Sequence, residues 1–209
     1  MTEKPLNRQT VERLVMYCRL LRGLPENSPA NVSATTMADR LQLNHVVVRK
    51  DLAEISGGGK PKVGYLAKDL LMDIEEALGY HNTNSALLVG VGNLGRALLS
   101  YKGFDECGVQ IDYAFDQDHS LIGQVFGKVT VLPAEKLPNM LERTQLHIGI
   151  IAVPSNQAQS VCDILTTGGI KAIWNFSPIR LEVSEDVMVR NENMALSLSL
   201  LSQHLARTL

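Results

Sequence analysis

The sequence has little of the material from which disulfide frameworks, zinc sites and membrane spans are built. Its three cysteines, Cys18, Cys107 and Cys162, lie far apart, with no Cys-x-x-Cys spacing. This argues against a disulfide framework or a zinc site and favours buried thiols that pack as small apolar side chains. There is no run of about 18 apolar residues, and the N-terminus lacks the apolar core of a signal peptide. We therefore expect a cytoplasmic protein without a membrane segment.

Charge is distributed unevenly along the 209 residues, of which 45% are apolar. That length and apolar content suit one large domain or two small ones with real cores. Up to Lys68 the chain has 11 lysines and arginines against 6 acidic residues, and from Asp69 onward it has 9 against 16. A basic first part suggests contact with a polyanion, because neutralised phosphates release counterions and so supply most non-specific DNA affinity.

Residues 1–80 have the apolar pattern of a winged helix-turn-helix domain, which is a DNA-binding fold. Apolar residues recur at helical spacing over residues 6–24, and Ser33 is placed to cap a helix that runs to residue 41. Residues 42–44 predict a tight turn, and a further helix is predicted over residues 45–55. The side chains of this helix that we expect to face the core are Val46, Leu52 and Ile55.

The second helix of such a motif supplies the DNA contacts. Its first residues point at base edges, and flanking cations hold phosphates. The candidates for base contact are Asn44, His45 and Val47, and the candidate cations are Arg49 and Lys50. The alternative is a three-helix scaffold whose cationic face is only solvated.

Residues 56–65 are too rich in glycine for a helix. Lys60 and Lys62 flank a proline that stiffens the backbone between them. The segment is typical of the wing of a winged helix, a short hairpin whose tip lies on the DNA backbone or in the minor groove, so both lysines are candidate DNA contacts. The alternative is an interdomain linker. An amphipathic helix is predicted over residues 69–80.

Residues 85–116 have the pattern that opens a dinucleotide-binding domain. An apolar strand over residues 86–89 leads into a glycine-rich turn and a helical pattern, and a second strand over residues 109–115 ends on an acidic residue. The first glycine makes the tight turn, the second lets the backbone approach a pyrophosphate, and the third lets the helix pack on the strand. The residues of the turn, all candidates for cofactor contact, are Gly90, Val91, Gly92, Asn93, Leu94 and Gly95.

The acidic residue is Asp116, 21 positions after Gly95. Its carboxylate would accept hydrogen bonds from the adenosine ribose hydroxyls and would repel a 2′-phosphate. Gln117 and Asp118 offer no arginine for such a phosphate. The pattern therefore favours NAD(H) over NADP(H), and the alternative is a Rossmann-like domain that binds another nucleotide or none.

The remaining chain continues the alternation of strands and helices, which predicts an α/β fold with a doubly wound parallel sheet over residues 85–190. Residues just beyond the strand ends would rim the cofactor crevice, and Val153, Pro154, Asn175 and Phe176 are the candidates there. Ordinary loop positions are the alternative for Asn175 and its neighbours. Strands are predicted over residues 129–132, 147–153, 170–174 and 187–189, with helices over 134–142 and 155–166.

Catalytic side chains are missing from this pattern. Residues 85–209 suffice for a nucleotide-binding domain but not for a separate substrate domain. There is no Tyr-x-x-x-Lys pair, and no histidine stands beside a carboxylate at the crevice, since His147 is at the wrong end of a strand and His204 is on the last helix. These absences argue against an NAD-dependent dehydrogenase and for a protein that is not an enzyme.

Residues 191–209 predict a helix whose apolar side chains cover more than one face. A helix that is apolar almost all round must be buried on several sides. Insertion between two subunits would bury it, and a two-fold dimer would suit a palindromic operator. The alternative is docking onto its own domain. The apolar residues are Met194, Leu196, Leu198, Leu200, Leu201 and Leu205.

Taken together, these motifs resemble the Rex family of redox-sensing transcriptional repressors over nearly the whole chain. The resemblance implies a homodimer with exchanged C-terminal helices that binds operator DNA when NAD+ prevails and releases it when NADH binds. It also implies that Arg19 and Tyr101 help to couple the cofactor state to the DNA-binding domain. The matching segments are residues 13–19, 48–52, 63–65, 90–95, 115–116, 122–123, 153–154, 158–159 and 169–176.

The chain departs from the family pattern at three places. Residues 54–56 (Glu-Ile-Ser) stand where family members usually have Tyr or Asn followed by Phe-Gly, and residues 60–62 (Lys-Pro-Lys) replace a basic residue before a glycine. The acidic residue common near the start of the C-terminal helix is Asn193 here. The changes at 54–62 bear on the operator sequence, and Asn193 bears on the strength and sign of the coupling to NADH.

Three functions remain open at this stage. The first is a DNA-binding repressor that responds to NAD(H). The absence of an acid–base pair and the presence of a basic wing both favour it. The second is a small NAD-dependent oxidoreductase with an unrelated helical domain. The third is a CoA-binding regulatory protein, since Rex folds resemble that class of Rossmann domain.

Overall fold

The structure, a computed structural model, describes residues 6–25, 28–61, 63–82 and 84–208. The chain divides into two compact units, Met1–Asn82 and Thr83–Leu209. Among the described residues, no helix has the length and apolar character needed to cross a membrane.

The first unit is a bundle of four helices with a two-stranded sheet. The helices are α1 (Arg8–Arg22), α2 (Ala34–Leu41), α3 (His45–Ile55) and α4 (Ala67–Ala77). Strand β1 (Asn31–Val32) pairs antiparallel with β2 (Tyr65–Leu66). The helix-turn-helix is thus confirmed, whereas α4 begins earlier and ends earlier than the predicted 69–80. The buried side chains of its core include Leu14, Tyr17, Met37, Val48, Leu52, Leu70 and Ile74.

Local side-chain caps set the ends of the helix-turn-helix. The Ser33 hydroxyl accepts a hydrogen bond from the Thr36 amide at 3.0 Å, as expected of an N-cap serine. Between α2 and α3, Gln42 adopts φ 54°, the left-handed conformation that ends α2. The orientation of α3 corrects one prediction, because Val46 is 54% exposed and Val48 is the buried valine.

The glycine-rich segment after α3 closes into a narrow hairpin. The amides of Lys60 and Gly64 each donate to the other residue's carbonyl at 2.9 Å. Lys60 lies exposed on this hairpin, which is what a wing requires. The other predicted contact of the wing, Lys62, lies outside the described residues.

The second unit contains a seven-stranded sheet in the order β5-β6-β4-β3-β7-β8-β9. All neighbours are parallel except the edge pair β5–β6. Apart from that edge, the order is that of a Rossmann fold, so the doubly wound sheet is confirmed. The strands are β3 (Asn84–Val89), β4 (Val109–Asp116), β5 (Val125–Phe126), β6 (Val129–Pro133), β7 (Ile148–Ile151), β8 (Ala172–Asn175) and β9 (Met188–Asn191).

Helices cover both faces of this sheet, because alternate strand residues point to opposite sides. In β3, Leu87 and Val89 belong to the core beneath α6 (Leu137–Leu141) and α7 (Ser155–Thr167), whereas Ala86 and Leu88 face the side of α5 (Asn93–Leu99). The predicted helix over 134–142 is instead a 3-10 turn followed by α6. The hairpin strand β5 has no counterpart in the sequence-based prediction.

The last helix, α8 (Met194–Thr208), leaves its leucines uncovered. Asn193 begins the helix, and its side-chain oxygen accepts a hydrogen bond from the Leu196 amide at 3.1 Å. Apolar side chains of this exposure require a further surface to cover them. The leucines between 54% and 69% exposed are Leu196, Leu198, Leu200, Leu201 and Leu205.

Candidate functional site

The second unit contains a cavity of about 650 Å³ at the carboxyl ends of its parallel strands. It lies where the strand order reverses between β3 and β7, and crevices at such points bind ligands in open α/β sheets. Among its lining residues are Gly90, Gly92, Arg96, Asp116, Asp118, Val153, Pro154 and Gln157.

The turn between β3 and α5 needs glycine for three different reasons. Gly90 has φ 99°, and a Cβ there would lie 2.5 Å from the Ala152 carbonyl oxygen. A Cβ on Gly95 would lie 2.0 Å from the carbonyl oxygen of Gly90, so α5 can approach β3 only with glycine at this position. A Cβ on Gly92 would meet nothing within 4 Å, although Gly92 lines the cavity. Gly92 therefore keeps space open for a ligand, whereas Gly90 and Gly95 make room for the protein's own backbone.

Asp116 stands at the end of β4 and faces this turn. One carboxylate oxygen accepts a hydrogen bond from the Val91 amide at 2.6 Å, and the other accepts one from the Asp118 amide at 2.9 Å. Each oxygen of an ionised carboxylate has a second acceptor position. The carboxylate is thus fixed in orientation and can still accept from two ribose hydroxyls.

A second carboxylate lies in the same part of the cavity. Asp118 accepts a hydrogen bond from the Ser120 amide at 2.9 Å. Hydrogen bonds from the Ser120 side chain and backbone hold the pKa of this exposed carboxyl below its usual range. Two ionised carboxylates repel an additional phosphate, so the site suits a dinucleotide without a 2′-phosphate.

Arg96 is a cavity residue that the sequence-based prediction missed. Its guanidinium lies 5.7 Å from the centre of the Phe126 ring, and its Nε is 3.4 Å from the Gly92 carbonyl oxygen. The ring and the carbonyl hold a positive charge beside the glycine turn. The sequence did contain a signal for Arg96, since it is a basic residue directly after Gly95, the last residue of the glycine-rich motif.

The other predicted cofactor contacts fall into two groups. Val153 and Pro154 line the cavity, whereas Asn175 and Phe176 are not among its lining residues. Asn175 is completely buried, and its amide nitrogen donates to the Ser177 and Ile179 carbonyls and to Asn191 Oδ1. Asn175 therefore holds the loop that follows β8. Cofactor contact by these residues stays a prediction.

Val91, Asn93 and Leu94, the other candidates in the glycine turn, are not among the lining residues of the cavity. Val91 is completely buried below the turn. The Asn93 side-chain oxygen lies 3.4 Å from the Arg96 guanidinium, and Leu94 is half-buried. These contacts shape the turn around the cavity.

The candidate DNA contacts of the first unit lie on the solvent side of α3. His45, Val47, Arg49 and Lys50 are all exposed. Asn44 is also exposed, and its side-chain oxygen caps the helix by accepting from the Val46 amide at 2.8 Å. A helix that presents two adjacent cations and a histidine to solvent has the charge required for a DNA surface.

On its opposite side, α3 is anchored by a buried carboxylate. Asp51, 3% exposed, accepts two hydrogen bonds from Arg13 at 2.6 and 2.8 Å and one from the Tyr17 hydroxyl at 2.9 Å. Burial and the hydrogen bond to Asp51 raise the pKa of Tyr17, and the same carboxylate raises the pKa of Arg13. Tyr17 therefore remains a neutral donor, and α1 holds the register of α3.

The two candidate coupling residues belong to different units. Arg19 is exposed on α1, and Tyr101 is 56% exposed after α5. Tyr101 packs edge-on against Phe104, with ring centres 4.9 Å apart. Among the described residues, no group of three or more His, Cys, Asp or Glu side chains could hold a metal ion.

Family models match both units. A model described as "Putative DNA-binding protein N-terminus" matches residues 6–53, and one described as "CoA binding domain" matches residues 81–179. The second match covers the cavity and the larger part of the Rossmann sheet.

Relatives and solved structures match the chain over nearly its whole length. The redox-sensing transcriptional repressor Rex of Desulforamulus reducens is 38% identical over 94% of this chain and 94% of its own. The protein of that name from Bacteroides fragilis is 33% identical over 94% of this chain and 89% of its own.

Crystal structures of RSP, a Rex-family repressor, are 30% identical in sequence. The complex of RSP with β-NAD+ and operator DNA covers 99% of this chain and 95% of its own with a TM-score of 0.91. The complex of RSP with β-NADH gives a TM-score of 0.86, with 99% and 97% covered. These relatives are named as transcriptional repressors, not as enzymes. Identity of this extent over both units shows that the chain belongs to the Rex family of redox-sensing transcriptional repressors.

Proposed function

We propose that this protein is a transcriptional repressor that binds operator DNA as a homodimer and releases it when NADH replaces NAD+ in its cavity. One observation carries the proposal: the same chain has a cavity with a glycine turn and Asp116 in one unit and an exposed helix with Arg49 and Lys50 in the other. A titratable acid–base pair poised for hydride or proton transfer is not among the described cavity residues. An action on DNA also implies a cytoplasmic location.

The residues of the cavity fit a dinucleotide. The open space beside Gly92 suits a pyrophosphate, and Arg96 supplies positive charge next to it. The carboxylate of Asp116 is oriented to accept from ribose hydroxyls. The two forms of the cofactor would differ in charge at the nicotinamide end, since the ring of NAD+ is cationic and that of NADH is neutral.

The uncovered leucines of α8 support a dimer. A second copy of the chain would bury them, and a two-fold assembly would set two α3 helices against two half-sites. Deletion of residues 193–209 should abolish dimerisation and operator binding together. Because a deletion removes more than the leucines, the double variant Leu198→Glu/Leu201→Glu serves as a second test. Sedimentation of these variants as dimers would contradict the proposal.

The direct experiment measures binding of a fluorescent operator duplex, selected from a random pool, in the presence of NADH, NAD+ or CoA. NADH should weaken DNA binding more than NAD+ does, by a coupling of about 1–3 kcal/mol, and DNA should weaken NADH binding by the same factor. CoA should have no effect. Equal DNA affinity with and without NADH would overturn the proposal.

Variants of α3 test the DNA surface separately from the cofactor. Arg49→Ala or Lys50→Ala should reduce duplex affinity, and loss of one phosphate contact should flatten the salt dependence by about one unit of slope. NADH affinity should not change. Lys136→Ala, which removes an exposed charge from the second unit, is the matched control. If Arg49→Ala and Lys50→Ala both retained the wild-type salt slope, α3 would not be the DNA surface.

A further inference from the structure

Aromatic side chains are scarce in this chain, and four of them form a row on the α5 side of the sheet. The chain has five Tyr, four Phe and one Trp. Ring centres are separated by 4.9 Å between Tyr101 and Phe104, 5.7 Å between Phe104 and Trp174, and 4.5 Å between Trp174 and Phe176. The first two pairs are edge-to-face and the third is tilted, and aromatic pairs at such distances attract each other beyond the area they bury. The row therefore joins the segment after α5 to the end of β8.

Trp174, inside this row, is hydrogen-bonded to the segment that leads into α8. The indole nitrogen of Trp174 donates to Glu192 Oε1 at 3.0 Å, and the Arg190 guanidinium donates to the same oxygen at 3.1 Å. A charge-assisted hydrogen bond is stronger than a neutral one. Glu192 thus joins the aromatic row to the residues immediately before the helix.

The neighbours of Glu192 strengthen this attachment. The Glu192 amide donates to the Asn175 carbonyl at 2.8 Å, and Asn175 Nδ2 donates to Asn191 Oδ1 at 2.8 Å. The next residue, Asn193, caps α8. Of these three consecutive residues, Asn191 is hydrogen-bonded to β8, Glu192 to the aromatic row, and Asn193 caps the helix.

The same network reaches the cavity. The side-chain oxygen of Asn175 accepts from the Ser177 amide at 2.9 Å, and the Ser177 hydroxyl donates to the Val153 carbonyl at 2.5 Å. Val153 lines the cavity. All of these groups lie in the second unit. Buried and partly buried hydrogen bonds therefore connect Val153 to the residues immediately before α8.

We propose that Glu192 is the positioning residue through which the state of the cavity sets the position of α8. Its carboxylate holds the Trp174 indole and the Arg190 guanidinium two residues before α8 begins. The Asn193 side chain is used as a helix cap. This inference rests on the proposed function, because it assigns the route by which NADH would act on the dimer helix.

Trp174 makes the hydrogen bond observable, because it is the chain's one tryptophan. The indole N–H gives one resonance in a proton–nitrogen spectrum of the full-length protein. That resonance should move upfield in Glu192→Ala and should stay near its place in Glu192→Gln, whose amide oxygen can still accept. NADH should shift it in the wild type. An unchanged resonance in Glu192→Ala would refute the hydrogen bond.

The functional arm compares operator affinity with NADH and with NAD+ in the same variants. Glu192→Ala should reduce the ratio of these affinities by about fivefold or more, within the range of allosteric couplings, while NADH affinity measured by calorimetry changes little. Glu192→Gln should rescue most of the coupling. Glu185→Ala, at an exposed acid before β9, is the matched control and should respond as the wild type does.

The outcomes separate this inference from the function on which it rests. Wild-type DNA binding that ignored NADH would refute the proposed function itself. A wild type that responds, together with a Glu192→Ala variant that responds equally, would refute only the role of Glu192. Loss of NADH binding in a folded Glu192→Ala would also refute that role, since a positioning residue acts after the cofactor is bound.

Discussion

Removing the carboxylate of Asp51 should strongly destabilise the first unit and weaken DNA binding, while the affinity for NADH is retained. Asp51→Ala leaves the Arg13 guanidinium, whose side chain is 20% exposed, without its two short hydrogen bonds. It also leaves the completely buried Tyr17 hydroxyl without an acceptor. Breaking a buried pair by removing one partner costs about 3–5 kcal/mol, because an uncompensated charge remains in the core.

That loss is large relative to the total stability of a domain, which is about 5–15 kcal/mol. Tyr17→Phe removes one hydrogen bond to a charged group and should cost less, about 1.5–3 kcal/mol. The expected order of destabilisation is therefore Asp51→Ala, then Tyr17→Phe. Because α3 carries the proposed DNA surface, operator affinity should fall in the same order at temperatures where Asp51→Ala is partly unfolded.

Urea denaturation followed by two probes measures the effect. Far-ultraviolet circular dichroism reports on the helices of both units, whereas Trp174 fluorescence reports on the second unit alone. Asp51→Ala should lower the midpoint of the first signal more than that of the second, and NADH affinity should be retained. Asp39→Ala, at an exposed acid of α2, should change stability by no more than about 0.5 kcal/mol. An Asp51→Ala variant as stable as Asp39→Ala would refute the reasoning.

Three further predictions follow from the second unit. Asp116→Ala should weaken NADH binding by about 1–3 kcal/mol in calorimetry, because a fixed ionic acceptor is lost. Gly92→Ala should change the stability by no more than about 0.5 kcal/mol but should weaken NADH binding, because the added methyl group enters the cavity. Gly95→Ala should instead lose about 1–3 kcal/mol of unfolding free energy, because its Cβ meets the backbone. The hydrogen bond from Lys171 lowers the pKa of Asp186 to about 2. This carboxylate therefore stabilises the fold above a pH of about 4 and loses that effect as the pH falls from about 4 to about 2. A carbon-detected titration of Asp186 should show the lowered pKa, and Lys171→Met should raise it.

A specific result would contradict each of these predictions. Asp112→Ala, at an exposed acid on the same strand as Asp116, should bind NADH like the wild type, and an equal loss in both variants would remove the special role of Asp116. Equal stability of the two glycine variants would contradict the close approach of α5 to β3. An Asp186 titration centred near 4 would show that the pair with Lys171 does not persist in solution.

Local patterns in the sequence determined the elements and much of the candidate cavity. Ser33 and Asn44 could be placed at helix starts because a cap acts within three residues of its own position. Gly90, Gly95 and Asp116 could be placed because a turn of this shape tolerates no side chain at two positions and the next strand ends at a fixed distance. These constraints depend on residues that are close together in the sequence, so the sequence alone reveals them.

Tertiary packing alone decided which residues meet across elements. Asp51 has the sequence context of a surface charge, and only the approach of α1 makes it a buried anchor for α3. Asn175 ends β8, a position typical of cavity residues, yet Asn191 and the loop beyond β8 accept the hydrogen bonds of its amide. Val46 and Val48 are equivalent in composition, and the choice between exposure and burial depends on where α1 and α4 pack. A sequence specifies the groups that need partners, but only the folded chain determines which partners come within reach, because those contacts join residues far apart in the sequence.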